Sequence, residues 1–372
     1  MRILALEPYY GGSHRAFLDG WCAHSRHEWT LLDLPPYKWK WRMRHAAITL
    51  ADRVADLVER GQRWDRLFCS DMLNLAEFIG MAPLPVQLLP SVVYFHENQL
   101  TYPVRHEQER DYQFAFTNLT TALAATRVWF NSAFHRDSFL NALPVFLKRM
   151  PDCQPIEAVE RVRAKARIEP PGIGELPQRG PRPPGPPRIL WAARWEHDKN
   201  PDAFFEALHK LRDRGIAFRV SVIGERFREV PPVFESARQD FADAIDRWGY
   251  QSSRAEYESA LTEADVIVST ADHEFFGLSV IEAIAAGAYP LLPRRLAYPE
   301  ILGAGRTPGT DAFLYDGDAD ELARRLAALA QRCTQGGLWS GVCRDSLRAV
   351  ERFFWKHRGP ALDRALEEVG CS

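Results

Sequence analysis

The sequence predicts an α/β protein built from two domains of similar size. Two observations carry this prediction: short apolar runs alternate with longer amphipathic stretches over residues 1–169, and the same alternation restarts at residue 188. Such alternation is typical of parallel sheets covered by helices. A third observation is the proline-rich segment between the two regions, and a chain of 372 residues is long enough for two ordinary domains.

Residues 1–169 form the first predicted domain. Its strands are predicted at the apolar runs MRILALEP, HEWTLLDLP, WDRLFCSD, PSVVYFHEN and ATRVWFNS. Helical periodicity fills the intervals, for example in AAITLADRVADLVERGQ and QFAFTNLTTALAA. The order of these elements favours a parallel sheet.

Residues 170–187, PPGIGELPQRGPRPPGPP, predict a semi-rigid linker, because eight of the eighteen residues are proline. The second domain is predicted over residues 188–345, with strands at RILWAARW, FRVSVIGE, ADVIVSTA and AYPLLP and helices at DAFFEALHKLRDRG and LSVIEAIAAG. Residues 346–372 form an amphipathic helical tail that could cross back to the first domain.

Composition limits the function classes. Lys+Arg 47 against Asp+Glu 49 gives a net charge of −2, which argues against a protein that coats nucleic acid by bulk charge but allows a local basic site. We find no apolar run of about 18 residues and therefore expect no membrane helix. The six cysteines form no CxxC pair, which predicts free thiols in a reducing cytoplasm and no zinc site.

The segment DHEFFGLSVIEAIAAG at 272–287 follows a predicted strand and opens a helix. Free amides at the helix start near Gly277, which also lets a ligand approach the backbone, favour phosphate binding. Glu274 in the loop and Glu282 in the helix lie on either side of this start. Alternatively, Glu274 is a carboxylate favoured by the helix dipole and Glu282 a solvated helix residue.

Two cations follow the strand RILWAA. Arg194 and Lys199 would lie at a carboxyl end, where open α/β sheets bind ligands, and could neutralise a leaving diphosphate without a metal. The alternative is a pair of ordinary surface cations. No Asp-x-Asp motif stands in the expected place, so we expect no metal cofactor.

Arg194, Lys199 and the pattern E-x7-E with FGLS between the glutamates resemble the retaining glycosyltransferases of the GT4 group. The resemblance implies a GT-B fold, with two Rossmann-like domains facing across a cleft. It implies that the two cations and the FGLS amides hold the donor diphosphate, that Glu274 contacts the donor sugar and that Glu282 contacts the nucleotide ribose. The donor-binding set predicted in this domain is Gly224, Phe276, Gly277, Leu278, Ser279 and Glu282.

Polar and glycine residues also follow strands of the first domain. In EPYYGGSHR, Gly11 and Gly12 permit a turn whose amides could approach the donor phosphates, although an ordinary turn would use them equally. His14 could start a helix or belong to the site. The triplet HEN, which contains His96 and Asn98, ends a buried strand and favours a ligand site over a histidine satisfied within the core.

Four first-domain motifs, YYGGSH, PPYKWKWR, YFHENQLTYPV and FNSAFHRDSF, together resemble the tRNA-queuosine α-mannosyltransferases. This resemblance covers most of the first domain. It implies that mannose passes from GDP-mannose to the cyclopentene-diol of queuosine in the anticodon of tRNA-Asp. We further predict that His96 acts in catalysis by contacting the sugar from the other side, and that His14 and Asn98 contact the tRNA.

The segment YKWKWRMRH at 37–45 concentrates four cations and three large aromatics in nine residues. The resemblance to a tRNA-modifying family suggests phosphate contacts for the cations and base stacking for the tryptophans. An extended segment would place lysines and tryptophans on opposite faces, and one face could simply be buried. The predicted tRNA-contacting residues are Lys38, Trp39, Lys40, Trp41, Arg42 and Arg44.

The predicted reaction is a retaining transfer in which Glu274 orients sugar hydroxyls and the leaving group accepts the proton. Two alternatives stay open: a GT4 enzyme with a different donor or a lipid or sugar acceptor, and a non-catalytic tRNA-binding protein on the same scaffold. Donor binding or donor hydrolysis would separate the second alternative from an enzyme.

Overall fold

A computed structural model of the chain describes residues 1–104, 110–180, 184–226, 229–306, 308–339 and 345–370. The chain divides into two compact units. The first comprises Met1–Gly174 together with Phe353–Ser372, and the second comprises Glu175–Arg352. Residues 181–183 of the predicted linker lie outside the described residues.

The first unit is built on a six-stranded sheet in the order β2-β1-β3-β4-β5-β6. Every neighbouring pair is parallel. The central strands β3 and β4 are buried on both faces, which explains their continuous apolar sequences. The strands are β1 (Arg2–Glu7), β2 (Glu28–Asp33), β3 (Arg66–Ser70), β4 (Ser91–Phe95), β5 (Arg127–Phe130) and β6 (Ala166–Ile168).

Helices cover both faces of this sheet and bury two hydrophobic clusters. The predicted helices at residues 46–62 and 113–125 largely coincide with α2 and α5, which end earlier, at Glu59 and Ala124. The helices are α1 (Gly12–His24), α2 (Trp39–Glu59), α3 (Leu75–Met81), α4 (Leu84–Gln87), α5 (Tyr112–Ala124), α6 (Ala133–Leu147) and α7 (Ala158–Arg163).

The basic-aromatic segment 37–45 is not extended, which corrects that premise of the sequence analysis. Lys38 takes a left-handed conformation (φ 51°), and α2 begins directly after it at Trp39. Met43 and Ala47 continue the apolar face of the helix, so the 3.6-residue period extends into this segment. Lysines and tryptophans are therefore distributed around a helix instead of alternating between two faces.

The C-terminal helix crosses back to the first unit, as predicted. This helix, α15 (Trp355–Glu367), packs against α1. Trp355 fits against Gly20, where an added Cβ would lie 2.1 Å from the indole ring. The buried Asp363 carboxylate accepts hydrogen bonds from Trp21 Nε1, Ser25 Oγ and the amide of Arg26.

The second unit has a parallel six-stranded sheet in the order β12-β11-β10-β7-β8-β9. Read from β9, this is the doubly wound strand order 3-2-1-4-5-6. The direction of the order reverses between β7 and β10, the first and fourth strands of this unit. The strands are β7 (Arg188–Ala192), β8 (Arg219–Ile223), β9 (Ile245–Gly249), β10 (Val266–Val268), β11 (Tyr289–Pro293) and β12 (Leu314–Tyr315).

The helices of the second unit are α8 (Pro201–Asp213), α9 (Val233–Asp240), α10 (Arg254–Glu263), α11 (Leu278–Ala286), α12 (Tyr298–Leu302), α13 (Ala319–Thr334) and α14 (Asp345–Glu351). The middle of the predicted linker packs on this unit, where Gln178 donates to the carbonyl of Ala285 and Arg179 pairs with Asp265. Within the described parts of the chain, no helix combines the length and apolarity needed to cross a membrane. The described cysteines, at 22, 69, 153 and 333, are free thiols, and those at 343 and 371 lie outside the described residues.

Candidate active site

The second unit brings its predicted site residues to the carboxyl edge of the sheet. β7 and β10 are neighbours in the sheet although they are separated in sequence, so the loops after them meet where the strand order reverses. Arg194 and Lys199 follow β7, and Glu274 follows β10. Ligands of open α/β sheets bind at this reversal point.

Buried Lys199 forms an ion pair with half-buried Glu274. Lys199 is 5% exposed, and its Nζ lies 3.3 Å from Glu274 Oε2. The same ammonium donates to the carbonyl of His273 at 2.6 Å and lies 3.1 Å from Asp198 Oδ2. Hydrogen bonds to the His273 carbonyl and to Glu274 occupy two of the three N–H donors of the lysine.

The charges around the pair fix its protonation state. Burial raises the pKa of Glu274, but the charges of Lys199 and Arg194 and the Phe276 amide reverse this, and the net pKa is lowered. Burial and the neighbouring Lys199 charge lower the pKa of His273 to about 4. At neutral pH the site therefore contains an ionised Glu274 and a neutral His273.

The start of α11 lies beside this pair. Gly277 takes a positive φ of 90° at the N-cap, and Ser279 Oγ donates to the carbonyl of Ala192 at the end of β7 at 2.7 Å. The Phe276 amide faces Glu274 Oε1 at 3.4 Å. The amides of Leu278 and Ser279, in the first turn, have no acceptor within the helix and can bind an anion.

Glu282 lies one turn further along α11 and is held by two residues of α10. Arg254 Nη1 donates to its Oε1 at 3.0 Å, and the Tyr257 hydroxyl donates to its Oε2 at 2.7 Å. Each carboxylate oxygen keeps a second lone pair that can accept from a ribose hydroxyl. Arg254 and Tyr257 were missed by the sequence analysis because a helix rich in charged residues gives no local signal of a site.

A cavity of about 480 Å³ lies at the carboxyl ends of β7, β8 and β9, and Arg194, Gly224 and Ser279 are among its lining residues. Ser279 also lines a narrow gap with Lys199 and Glu274. The helix start is therefore shared by the two groups of predicted donor residues. At Gly224, whose φ is 153°, a Cβ would lie 1.8 Å from the Ala193 carbonyl oxygen, so only glycine fits.

The first unit holds a buried polar cluster at the ends of β1, β3 and β4. His14 Nδ1 donates to Glu7 Oε2 at 3.2 Å, and the His14 ring stacks on His96 with centroids 3.9 Å apart. The His96 amide donates to Asp71 Oδ1 at 2.8 Å. The sequence analysis missed Glu7 and Asp71. Their position at the carboxyl end of a predicted strand was the signal that could have identified them.

The two stacked histidines carry different charges. Burial lowers the pKa of His14, but the charges of Glu7, Asp71 and Glu97 and the hydrogen bond to Glu7 raise it to about 9. Burial and the His14 charge lower the pKa of His96 well below its usual value. Burial raises the pKa of Asp71 to about 8, and its Oδ2 is a buried atom with no hydrogen-bond partner among the described residues.

Glu7, His14 and His96 offer ligand atoms within 4.8 Å of one another, a spacing that a metal ion could bridge. The imidazole planes, however, are stacked at 29° to each other, so their in-plane lone pairs run side by side and do not converge on one point. Both Glu7 oxygens already accept hydrogen bonds, from Ser70 and His14 among others. The cluster fits an ion pair better than a metal site.

Other predicted site residues of the first unit have structural partners. Gly11 faces Pro36, where an added Cβ would lie 2.4 Å from the proline ring, while Gly12 (φ 51°) faces open space. Asn98 is fully buried and closes a turn, since its side chain exchanges hydrogen bonds with Thr101 at 2.8 Å. Asn98 therefore presents no exposed surface to an RNA.

The residues of segment 37–45 divide between surface and core. Arg42 is 6% exposed, donates to the Pro35 carbonyl at 3.0 Å and lies under the Tyr37 ring. Trp39 is half-buried against Phe114. The exposed members are Tyr37, Lys38, Lys40, Trp41 and Arg44. These five residues, here called the α2 start surface, combine cations with two exposed rings.

Comparison with known proteins identifies the family of the first unit. Residues 2–173 match the family described as tRNA-queuosine alpha-mannosyltransferase N-terminal, and residues 173–332 match the family described as glycosyl transferases group 1. The chain is 37% identical over 311 residues to the tRNA-queuosine alpha-mannosyltransferase of Drosophila melanogaster, covering 80% of this chain and 81% of that protein.

A shorter match reaches a bacterial mannosyltransferase. Over 116 residues, the chain is 30% identical to the GDP-mannose-dependent alpha-(1-6)-phosphatidylinositol dimannoside mannosyltransferase of Mycobacterium tuberculosis, which covers 31% of this chain and 29% of that protein.

Solved structures agree on the fold. HepE of Anabaena in complex with UDP has a TM-score of 0.69 at 15% identity, with 99% of this chain and 100% of that chain covered. Sucrose-phosphate synthase of Thermosynechococcus elongatus has a TM-score of 0.68 at 14% identity, with full coverage of both chains. The fold is that of GT-B glycosyltransferases, as predicted, and the chain belongs to the tRNA-queuosine alpha-mannosyltransferase family.

Proposed function

We propose that this glycosyltransferase transfers mannose from GDP-mannose to queuosine at the anticodon wobble position of tRNA-Asp, with retention of configuration. The observation that carries the proposal is the ion pair of buried Lys199 with Glu274 beside the start of α11, where the strand order reverses. The queuosine acceptor is supported by the family match of residues 2–173 and by the name of the Drosophila relative. The guanine nucleotide is supported by the name of the mycobacterial relative.

In the proposed reaction the bond between mannose and the diphosphate lengthens, and the sugar develops oxocarbenium character. Arg194, Lys199 and the amides at the start of α11 stabilise the charge that accumulates on the leaving diphosphate. Arg194 is the cation open to solvent, since its side chain is 39% exposed. The ionised Glu274 orients mannose hydroxyls, and Glu282 accepts from the ribose.

A queuosine hydroxyl then attacks the sugar from the face that the diphosphate leaves. A new C–O bond replaces the bond to phosphate, and a phosphate oxygen of the leaving group accepts the hydroxyl proton. His96 is the predicted sugar contact on the acceptor side. The reaction as proposed uses protein groups and substrate alone, and the absence of a metal requirement stays a prediction. The cytoplasmic location likewise stays a prediction.

The test is direct product analysis. The protein is incubated with GDP-mannose and queuosine-containing tRNA-Asp, the tRNA is digested to nucleosides, and mass spectrometry detects queuosine plus one hexose. We expect this product from the wild type and from Lys210→Ala, a change of a half-buried lysine on α8 that pairs only with surface carboxylates among the described residues. Lys199→Ala and Glu274→Gln should lower its rate by roughly 100-fold or more.

The possible results separate the alternatives. A fully active Lys199→Ala protein would contradict the diphosphate role. Donor hydrolysis without hexose on queuosine would discard the tRNA acceptor and favour a lipid or sugar acceptor. Binding of tRNA without donor binding or hydrolysis would favour a non-catalytic tRNA-binding protein.

A further inference from the structure

We propose that Glu225 recognises the guanine base of the donor nucleotide and so selects the donor. This inference rests on the proposed function, because it assumes a nucleoside diphosphate sugar bound in the second unit. Glu225 directly follows Gly224 at the carboxyl end of β8 and lines the 480 Å³ cavity.

The strand order indicates where the base would lie. The residues proposed to bind the diphosphate lie in the loops after β10 and β7. Strands β8 and β9 come next in the same direction along the sheet. Neighbouring strands are about 4.8 Å apart, so β9 lies about 10 Å beyond β7, the length scale of a nucleoside. The cavity runs along this direction, from Arg194 and Ser279 to Glu225 and Gln251.

Glu225 has the chemistry that guanine requires. Among the described residues that line the cavity it is the one carboxylate, it is exposed, and no described residue forms a hydrogen bond or ion pair with that carboxylate. The Watson–Crick edge of guanine presents two adjacent donors, N1–H and N2–H, and a carboxylate presents two acceptors. Adenine, cytosine and uracil each place an acceptor beside their donor. That acceptor would face the second carboxylate oxygen, which is also an acceptor, so no second hydrogen bond could form.

Neighbouring residues complete a base site without providing the same selectivity. Tyr250, after β9, lines the cavity with 71% of its surface exposed, and an exposed aromatic ring can stack on any base. Gln251 donates its amide to the Gly249 carbonyl at 3.0 Å, which leaves its single amide oxygen as an acceptor. A single acceptor cannot bind both guanine donors, so we assign the selectivity for guanine to the two carboxylate oxygens of Glu225.

Calorimetric titration of the full chain with GDP, IDP and UDP tests the proposal. IDP carries hypoxanthine, which differs from guanine only by lacking the N2 amino group. The wild type should bind GDP roughly 10-fold more tightly than IDP, the effect of one charge-assisted hydrogen bond. Glu225→Ala should weaken GDP binding by roughly 10- to 100-fold and bring the ratio of the GDP and IDP dissociation constants to about one.

Two further variants act as controls. Tyr250→Ala should weaken GDP, IDP and UDP alike, because stacking does not distinguish bases. Glu235→Ala removes an exposed glutamate of α9 outside the lining of the cavity and should leave all three affinities unchanged. Unfolding of each variant at the wild-type temperature would show that the fold is intact.

Failure of this inference can be distinguished from failure of the proposed function. If the wild type prefers GDP over IDP and Glu225→Ala keeps that ratio, another group reads the base and the assignment of Glu225 is wrong. If the wild type binds none of the three nucleotides, or prefers UDP, the guanine donor itself is wrong.

Discussion

At the scale of single residues, the His14–Glu7 pair makes stability depend on pH. The folded-state pKa of His14 is about 9, above its ordinary value of 6.5. A raised histidine pKa stabilises the folded state fully below about pH 6.5, and this contribution is lost as pH rises through about 9. The difference between these two pKa values of His14 corresponds to a contribution of at most about 3 kcal/mol to the free energy of unfolding.

We therefore expect His14→Gln to lower the free energy of unfolding by about 3 kcal/mol near pH 6 and by much less near pH 10. Chemical unfolding of both proteins across this range measures the difference. The raised pKa of Asp71 also makes the wild type less stable as pH rises, so the informative quantity is the difference between wild type and variant. A difference that does not change with pH would contradict the charged state assigned to His14.

Gly224 allows a second prediction at the same scale. Its Cβ would overlap the Ala193 carbonyl, whereas Gly215 also has a positive φ (67°) but faces open space. We expect Gly224→Ala to destabilise the protein by about 3 kcal/mol or more, and Gly215→Ala by about 1 kcal/mol, which is the cost of the backbone conformation alone. Thermal unfolding of the pair measures this, and equal effects would show that the steric overlap is relieved by a small shift.

At the scale of one element, α2 separates two tryptophans that the sequence presents alike. Trp39 packs against Phe114, whereas Trp41 is 59% exposed and stacks on His45. If tRNA is the acceptor, Trp41→Ala should weaken binding of the anticodon stem–loop by roughly 10-fold, the effect of losing one stacked base, and leave stability unchanged. Trp39→Ala should instead lower stability by about 2 kcal/mol or more.

Fluorescence anisotropy with a labelled stem–loop, together with thermal unfolding, distinguishes these effects. Buried Arg42 adds a matched comparison with exposed Arg44, because Arg42→Ala removes one of the two donors to the Pro35 carbonyl, the other being the Tyr37 amide. A Trp41→Ala protein that binds the RNA normally would show that the α2 start surface does not contact the anticodon.

At the scale of the whole chain, the last helix completes the first unit. The Asp363 carboxylate is 1% exposed and accepts from three groups of the N-terminal region. We expect Asp363→Ala to lower the free energy of unfolding by about 3 kcal/mol, because those donors lose their buried acceptor. Glu368→Ala, which removes an exposed carboxylate that bonds Arg167, should cost less than about 1 kcal/mol.

Urea unfolding of both variants tests this contribution of α15. Equal stabilities for Asp363→Ala and Glu368→Ala would contradict the view that the C-terminal helix is an integral part of the first unit.

The sequence predicted the central strands of both sheets and the edge strand β2, but it missed the edge strands β6, β9 and β12. β10 is apolar throughout, and β3 and β4 are apolar except at strand ends, because parallel strands at the centre are buried on both faces. β9, IDRWG, lies at an edge of the second sheet, where charged residues are tolerated, and it has no apolar run to mark it. The donor residues after β7 and β10 were predicted because motif and strand end coincide in sequence.

The sequence by itself determined the alternation of strands and helices, the family, and the residue types at the ends of β7 and β10. These features depend on local periodicity and on spacing within short segments. Only the tertiary structure decided that Lys199 is buried against Glu274, that His14 pairs with Glu7, and that Trp41 but not Trp39 is exposed. Burial and charge pairing depend on residues far apart in the chain, and no local pattern encodes which of them meet.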